Sequence, residues 1–318
     1  MSNSASAIAE ITPYDGVLDA RLKTELTTLE KLNPCRQRYY VSPMAFFVQY
    51  HQTVDLFNFI PWLSLRVPVK IIGKPYSVSQ KGYMGDNQAV TALVKTTQGL
   101  NLVLNGEPGL DLPFVYTLSS HVFHSRFATF DHYLEALRSH YRYRVKKALV
   151  KAAMLEVVPL APADFSSAHY ALYLEVYKNS KDKLECLSLT FFKEFPSEMF
   201  AFKVRESGEC IGFIQLVQEG KQLTFLFVGF MQAHNRQYDL YMNLLLEIIR
   251  IGIERRVDVI EFGQTAEETK LKLGCMAVKK YLYVHHSNKV LNYGIARILP
   301  LLSYKPHVTS YSVFKEPL

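Results

Sequence analysis

TFLFVGFMQAHNRQYDLYMNLLLEIIRIGIERRVDVIEFGQTAEETKLKLGC, from Thr224 to Cys275, is the stretch against which the rest of the chain is read. It predicts, in order, a strand, a polar loop, a long amphipathic helix, a strand, a polar turn and a short helix. Within NRQYDLYMNLLLEIIRIGIERRV, residues Leu240, Leu244, Leu245, Ile248, Ile249, Ile251 and Ile253 give the helix a wide buried face. VDVIEFG is a short apolar run closed by glycine, the pattern of a strand.

Upstream, FAFKVRE, CIGFIQLVQE and LTFLFVGFM are three apolar runs separated by the turns SGE and EGKQ, so two successive hairpins make the sheet locally antiparallel. Before them come a strand at Leu155–Leu160, a helix in ADFSSAHYALYLEVYKNS with Asp164 near its start, a polar loop from Lys178 to Glu185, and a short helix at FFKEF. Downstream, VKKYLYVHH predicts a last strand. A weakly amphipathic helix over Lys289–Leu302 follows, with packing as its expected role and membrane-surface contact as the less favoured one.

The second landmark is FDHYLEALRSHYRYRVKKALV, Phe130 to Val150. Phe130, Tyr133, Leu134, Leu137, Tyr141, Val145 and Leu149 fall at helical spacing, with Thr129 or Asp131 as cap. Arg138, Arg142, Arg144, Lys146, Lys147 and Lys151 stand against a single acid, Glu135. Like charges one turn apart repel, so this basic face is read either as solvated or as a contact for a phosphate or other anionic ligand.

The first third predicts a helix over Leu18–Leu32 that stops before Pro34. An aromatic tract follows between Met44 and Leu65 (Phe46, Phe47, Tyr50, Phe57, Phe59, Trp62), and then a β-rich region punctuated by Gly73, Gly82, Gly85, Gly99, Gly106 and Gly109. ALVKTTQGLNLVLNGE reads as a hairpin.

With 318 residues, 49% of them apolar, the chain has material for two cores. Its net charge of +7 favours anionic partners without choosing among them. No window approaches the ~20 apolar residues of a membrane span, and the N-terminus lacks a basic segment followed by an apolar one. A cytoplasmic protein without stable membrane insertion is the expectation. Cys35, Cys186, Cys210 and Cys275 have no metal or disulfide spacing. His285 and His286 would point to opposite faces of a strand, so no metal site is expected.

This order of elements resembles the GNAT acyltransferase fold, and the basic helix resembles the linker of the Fem-type and GNAT-like peptidoglycan-biosynthesis acyltransferases. The resemblance covers roughly residues 128–286 and is carried by Gly229, Tyr238, Tyr241, Leu244 to Ile249, Gly263, and Lys270 with Gly274. It implies an α+β (mixed α/β) class with tandem GNAT-like domains, each a central, mostly antiparallel sheet flanked by helices. The implied division is an arm over 1–30, a degenerate GNAT-like domain over 31–127, the linker helix over 128–152 and a GNAT-like domain over 153–318. It further implies N-acyl or aminoacyl transfer to an amine-bearing acceptor. The GNAT loop that cradles the acetyl-CoA pyrophosphate on backbone amides is glycine-rich, whereas MQAHNRQYDLYM has no glycine. No tightly bound cofactor is therefore expected. The anionic co-substrates considered are acyl-CoA, acyl-carrier-protein and aminoacyl-tRNA, the last being the donor that the Fem-type resemblance implies. A catalytically silent GNAT-like protein that binds a nucleotide-sugar or RNA through the basic helix is the alternative.

Acyl transfer to an amine needs alignment, a proton acceptor and a polarised carbonyl. In a GNAT-like sheet these meet after the aromatic strand and at the end of the next one. The expected catalytic residues are His234, Tyr238, Asp239 and Gln264. Substrate binding is expected from Asn235, Glu261, Thr265, Lys270, Arg142, Arg144, Lys146 and Lys147. Asn235 could instead cap a helix. Lys270 and Lys272 point to different helix faces, so at most one should enter the site.

Overall fold

The computed structural model describes residues 8, 11, 18–32, 35–55, 66–76, 79–180, 186–304 and 311–316. Most of the N-terminal arm before Leu18, the aromatic residues Phe57, Phe59 and Trp62, Pro34, and residues 181–185 of the polar loop lie outside them.

The elements run α1 (Ala20–Leu32), β1 (Arg38–Ser42), β2 (Ala45–Asp55), β3 (Arg66–Ile72), β4 (Tyr83–Gly85), α2 (Asn87–Lys95), β5 (Leu100–Gly106) and β6 (Phe114–His124). They continue with α3 (Phe130–Ala136), α4 (Ser139–Ala152), β7 (Leu155–Leu160), α5 (Ser167–Asn179), α6 (Leu189–Glu194), β8 (Glu198–Val204), β9 (Cys210–Glu219) and β10 (Gln222–Phe230). The chain closes with α7 (Gln232–Tyr238), α8 (Leu240–Glu254), β11 (Val259–Glu261), α9 (Glu267–Lys272), β12 (Met276–His286) and α10 (Lys289–Ile298).

Two compact units result, one of residues 1–118 with 279–306, the other of residues 119–278 with 307–318. In the first, β1, β2, β3, β5 and β12 are neighbours in that order, and every pairing is antiparallel except β3 with β5. The second repeats the scheme with β7, β8, β9, β10, β11 and β6, where only β10 with β11 is parallel. In each unit a helical crossover joins the parallel pair, as parallel strands require: α2 lies between β3 and β5, α7 and α8 between β10 and β11. The tandem, mostly antiparallel α+β architecture expected from the sequence is therefore present.

The division into successive stretches at 127, 152 and 153 does not follow these units. β12 pairs with β5 and β6 with β11, so each unit is completed by a strand from the other half of the chain. Apolar patterning marks a strand without naming its partner.

Three local expectations are corrected. ALVKTTQGLNLVLNGE is not a hairpin: Asp86 accepts the amides of Gln88 and Ala89 and starts α2, which runs through Ala92 to Lys95. The basic helix is two helices, capped at Thr129 and broken at Leu137, where the Arg138 amide leaves the helical ladder to donate to the Val313 carbonyl. Asp164 lies in a 3-10 turn, and the cap of α5 is Ser166 paired with His169.

The second unit's core centres on α8. Leu240, Leu244, Leu245, Ile248, Ile249, Ile251 and Ile253 are all buried, together with Phe123, Phe230 and Ile260. At ~1.5 to 3 kcal/mol per fully buried large apolar side chain, this face alone outweighs any contribution from helix propensity. On the other side of the sheet α5 packs directly on β10. A Cβ at Gly229 would lie 2.3 Å from Phe213 and 2.6 Å from the Tyr173 nitrogen, so this close approach requires glycine.

Candidate functional site

β10 and β11 pair over only three residues each, Gln222–Thr224 against Val259–Glu261. The register of β10 against β9 shifts between Phe225 and Phe227, and such bulges bend a strand and end pairing. Beyond that point the two parallel strands lead into α7 and α9, whose polar faces line a cleft of about 640 Å³.

Four helices of the second unit build this cleft. α4 contributes Tyr141, Arg144, Lys147 and Lys151, which recur every three or four residues and so share one face; Tyr143, 67% exposed, also borders it. Gln232, Asn235, Arg236, Asp239 and Tyr241 come from α7 and the start of α8. Glu268, Thr269 and Lys272 come from α9. Five cations therefore face two acids. Lys151 Nζ lies 3.0 Å from the Asp239 carboxylate and 3.0 Å from the Arg236 carbonyl, and Lys272 pairs with Glu268. Arg144, Lys147 and Arg236 form no ion pair among the described residues.

The expected polar loop is α7, and the expected long helix begins only after a left-handed residue, Asp239, at φ 44°. Side chains hold this kink. Asn235 Oδ1 accepts the Tyr241 amide at 2.9 Å. Asn243 Nδ2 donates to the Tyr238 and Ala148 carbonyls at 2.7 and 2.9 Å, tying the kink to α4. At the start of α7 the Gln232 amide donates to Glu175 Oε1 at 2.8 Å. The first amide of α7 is thus occupied by a carboxylate, and the start of α8 is capped from within the chain.

The expected site residues separate accordingly. Asn235, Asp239, Arg144 and Lys147 line the cleft. Arg142 donates to the Glu135 carbonyl and, with the exposed Lys146, is not among the cleft-lining residues, because the helical period turns both away. His234 is half-buried beside the Tyr238 ring, its Nδ1 buried without a hydrogen bond. Tyr238 is a correction: it is buried in the core, and its hydroxyl accepts from Gln237 at 3.0 Å. Glu261 is buried and accepts from Gln222 at 3.4 Å. Gln264 and Thr265 follow Gly263 in the turn after β11 and do not line the cleft.

Lys270 is the second correction. Its side chain is buried, the residue being 2% exposed, and Nζ donates to the Phe262 carbonyl at 2.6 Å and the Gly263 carbonyl at 3.3 Å. Burial lowers its pKa to about 8, opposed by the neighbouring Cys275 and Glu261. The ammonium braces the turn after β11, and Lys272 is the one that faces the cleft. Sequence reasoning passes over His121, which supports the same turn from β6: its Nδ1 is 3.1 Å from the Gly263 carbonyl, and burial lowers its pKa. It also misses Arg236, since one arginine in a polar run carries no periodic signal. Among the described residues no three potential metal ligands come together, and no helix is long and apolar enough to cross a membrane.

No family model matches the chain, and no curated protein matches it in sequence. Solved structures do match. The C-terminal domain of a protein described as a lysylphosphatidylglycerol synthetase, from Agrobacterium fabrum, is similar over 86% of this chain and 91% of its own, with 12% identity and a TM-score of 0.54. FemX is similar over 86% and 93%, at 11% identity and a TM-score of 0.54. L-PGS from Bacillus licheniformis is similar over 87% and 96%, at 11% identity and a TM-score of 0.52. The fold shared with these structures is the GNAT-like fold expected from the sequence.

Proposed function

We propose that the chain is an acyltransferase that moves an aminoacyl group from an RNA-linked ester, held in the cleft, to an amine. The observation that carries this reading is how the cleft meets anions. Side-chain cations from α4 and α7 line it, while the amide that would start a pyrophosphate cradle is bonded to Glu175. Such an arrangement suits a polyanion with widely spaced phosphates better than a coenzyme A pyrophosphate. Tyr143, exposed beside Arg144 and Lys147, offers a ring on which an unpaired base can stack. An aminoacyl group also agrees with the name of the Agrobacterium protein, a lysylphosphatidylglycerol synthetase.

In the proposed reaction the amine nitrogen attacks the ester carbonyl. The new C–N bond forms, the C–O bond to the ribose breaks, and the proton lost from nitrogen ends on the departing hydroxyl. Alignment supplies most of the acceleration, because an ester is already activated toward amines. Asp239, held by Lys151 at the cleft wall, is the carboxylate proposed to orient the incoming amine and to relay the proton it loses on attack to the departing hydroxyl. Arg144, Lys147 and Arg236 hold the donor's phosphates. No tightly bound cofactor enters this scheme.

Competition binding tests the donor. A charged tRNA with a non-hydrolysable aminoacyl linkage should bind in a strongly salt-dependent way and not be displaced by coenzyme A. Displacement by coenzyme A or by acyl-carrier-protein at comparable concentration would transfer the reading to that donor.

A further inference from the structure

α10 belongs to the first unit and has apolar residues on two sides. One side is covered: Ile295 and the following Leu299 pack with Val115 and Val284. The other is bare. Val290, Leu291 and Ile298, with Leu301 in the 3-10 turn that follows, are between 53% and 83% exposed. Val290 and Ile298 lie two turns apart on one side of α10, with Gly294 between them and Leu291 beside them, so the three exposed apolar side chains share one face as a stripe. The helix is firmly made, since Asn288 Oδ1 accepts the amides of Val290 and Leu291. The stripe is thus held open on a formed element.

Charge selects what covers it. From Thr269 to Lys315 the sequence contains no Asp or Glu, and α10 carries exposed Lys289 and Arg297. The Arg297 guanidinium lies 5.0 Å from the Tyr293 ring centre, at the edge of the stripe. A second copy laid face to face on this helix would bring cations toward cations, with no acid in the segment to separate them. An anionic bilayer supplies both missing partners, hydrocarbon for the apolar stripe and phosphates for Lys289 and Arg297. Tyr293, with an apolar ring and a polar hydroxyl, suits the boundary between them.

We propose that α10 is a peripheral docking element that lies in the plane of an anionic bilayer surface, with Val290, Leu291, Ile298 and Leu301 turned into it. No spanning segment is involved. The proposal stands apart from the reaction assigned to the cleft, since that site lies in the other unit.

Flotation of the full chain with vesicles tests it, comparing equimolar phosphatidylglycerol and phosphatidylcholine with phosphatidylcholine alone. Binding to the anionic vesicles is expected to be at least about tenfold stronger than to the neutral ones. Leu291→Ser/Ile298→Ser/Leu301→Ser should reduce it at least about tenfold, and Lys289→Glu/Arg297→Glu should do the same. All changed side chains are exposed, and equal melting temperatures would establish intact folding. Equal flotation of wild type and the serine variant, or no flotation of either, would overturn the proposal. So would a dimer, seen by analytical ultracentrifugation, that the serine variant loses while vesicle binding is absent: that result would make the stripe a contact between copies.

Discussion

Replacing Lys270 by methionine should change how stability depends on pH, and the size of the change follows from the lysine's surroundings. Its ammonium is buried against the Phe262 and Gly263 carbonyls, and its pKa falls from 10.5 to about 8. Between those two pH values the unfolded chain binds the proton that the folded chain has released. Stability therefore rises with pH through this window, and below about pH 8 the folded state bears the full cost of the buried charge. The shift of 2.5 pH units corresponds to about 3 kcal/mol. Cys275, whose thiol burial pushes up to about 12, stays neutral over the window. Tyrosines and other groups that titrate there are common to both proteins and cancel in the difference. Urea unfolding followed by circular dichroism at intervals from pH 7 to 10.5 gives that difference directly. Wild type should gain about 3 kcal/mol on Lys270→Met across the series. A difference that stays level within about 0.5 kcal/mol, or that falls with pH, would refute the desolvated brace.

Gly229→Ala should destabilise the second unit by about 1 to 3 kcal/mol, read as a lowered urea midpoint, because the new Cβ meets Phe213 and the Tyr173 backbone. Asn235→Ala should cost about 1 kcal/mol by removing the acceptor for the Tyr241 amide, while Asn235→Asp, which keeps that acceptor, should cost less. Arg144→Gln/Lys147→Gln/Arg236→Gln should weaken RNA binding and make the slope of log K against log salt about 2 units shallower, at ~0.7 per phosphate contact on a single strand, without lowering the melting temperature.

The parts of the fold legible in the sequence are those set by periodic burial. The apolar face of α8 can be read residue by residue from its spacing, and so can the hairpins of β8, β9 and β10, because a buried face repeats along its own element. Thr129 declares itself as a cap for the same local reason. What the pattern does not carry depends on distant partners. Leu137 breaks the basic helix because Val313 and Phe314, far along the chain, offer backbone groups there. β12 joins the first unit because β5 has an open edge.

The cleft is legible only in part. Arg144, Lys147 and Lys151 share one face of the basic helix and Asn235 and Asp239 come from the polar run, whereas Arg236 and Lys272 join them only through the kink at Asp239 and the placement of α9. A left-handed aspartate in a helical sequence leaves no periodic mark. Lys270 misleads because a lysine on a short polar helix reads as a partner for a substrate anion, whereas its ammonium is buried and donates to the Phe262 carbonyl.

Transfer of a radiolabelled aminoacyl group from charged tRNA to a pool of amines tests the central claim most directly, with acyl-CoA and acyl-carrier-protein donors run in parallel. Label is expected in an amide product from the tRNA donor, with no product from acyl-CoA and a marked loss of product in Arg144→Gln/Lys147→Gln/Arg236→Gln. Transfer from acyl-CoA that this triple change leaves intact, or tight RNA binding without transfer from any donor to any amine in the pool, would contradict it.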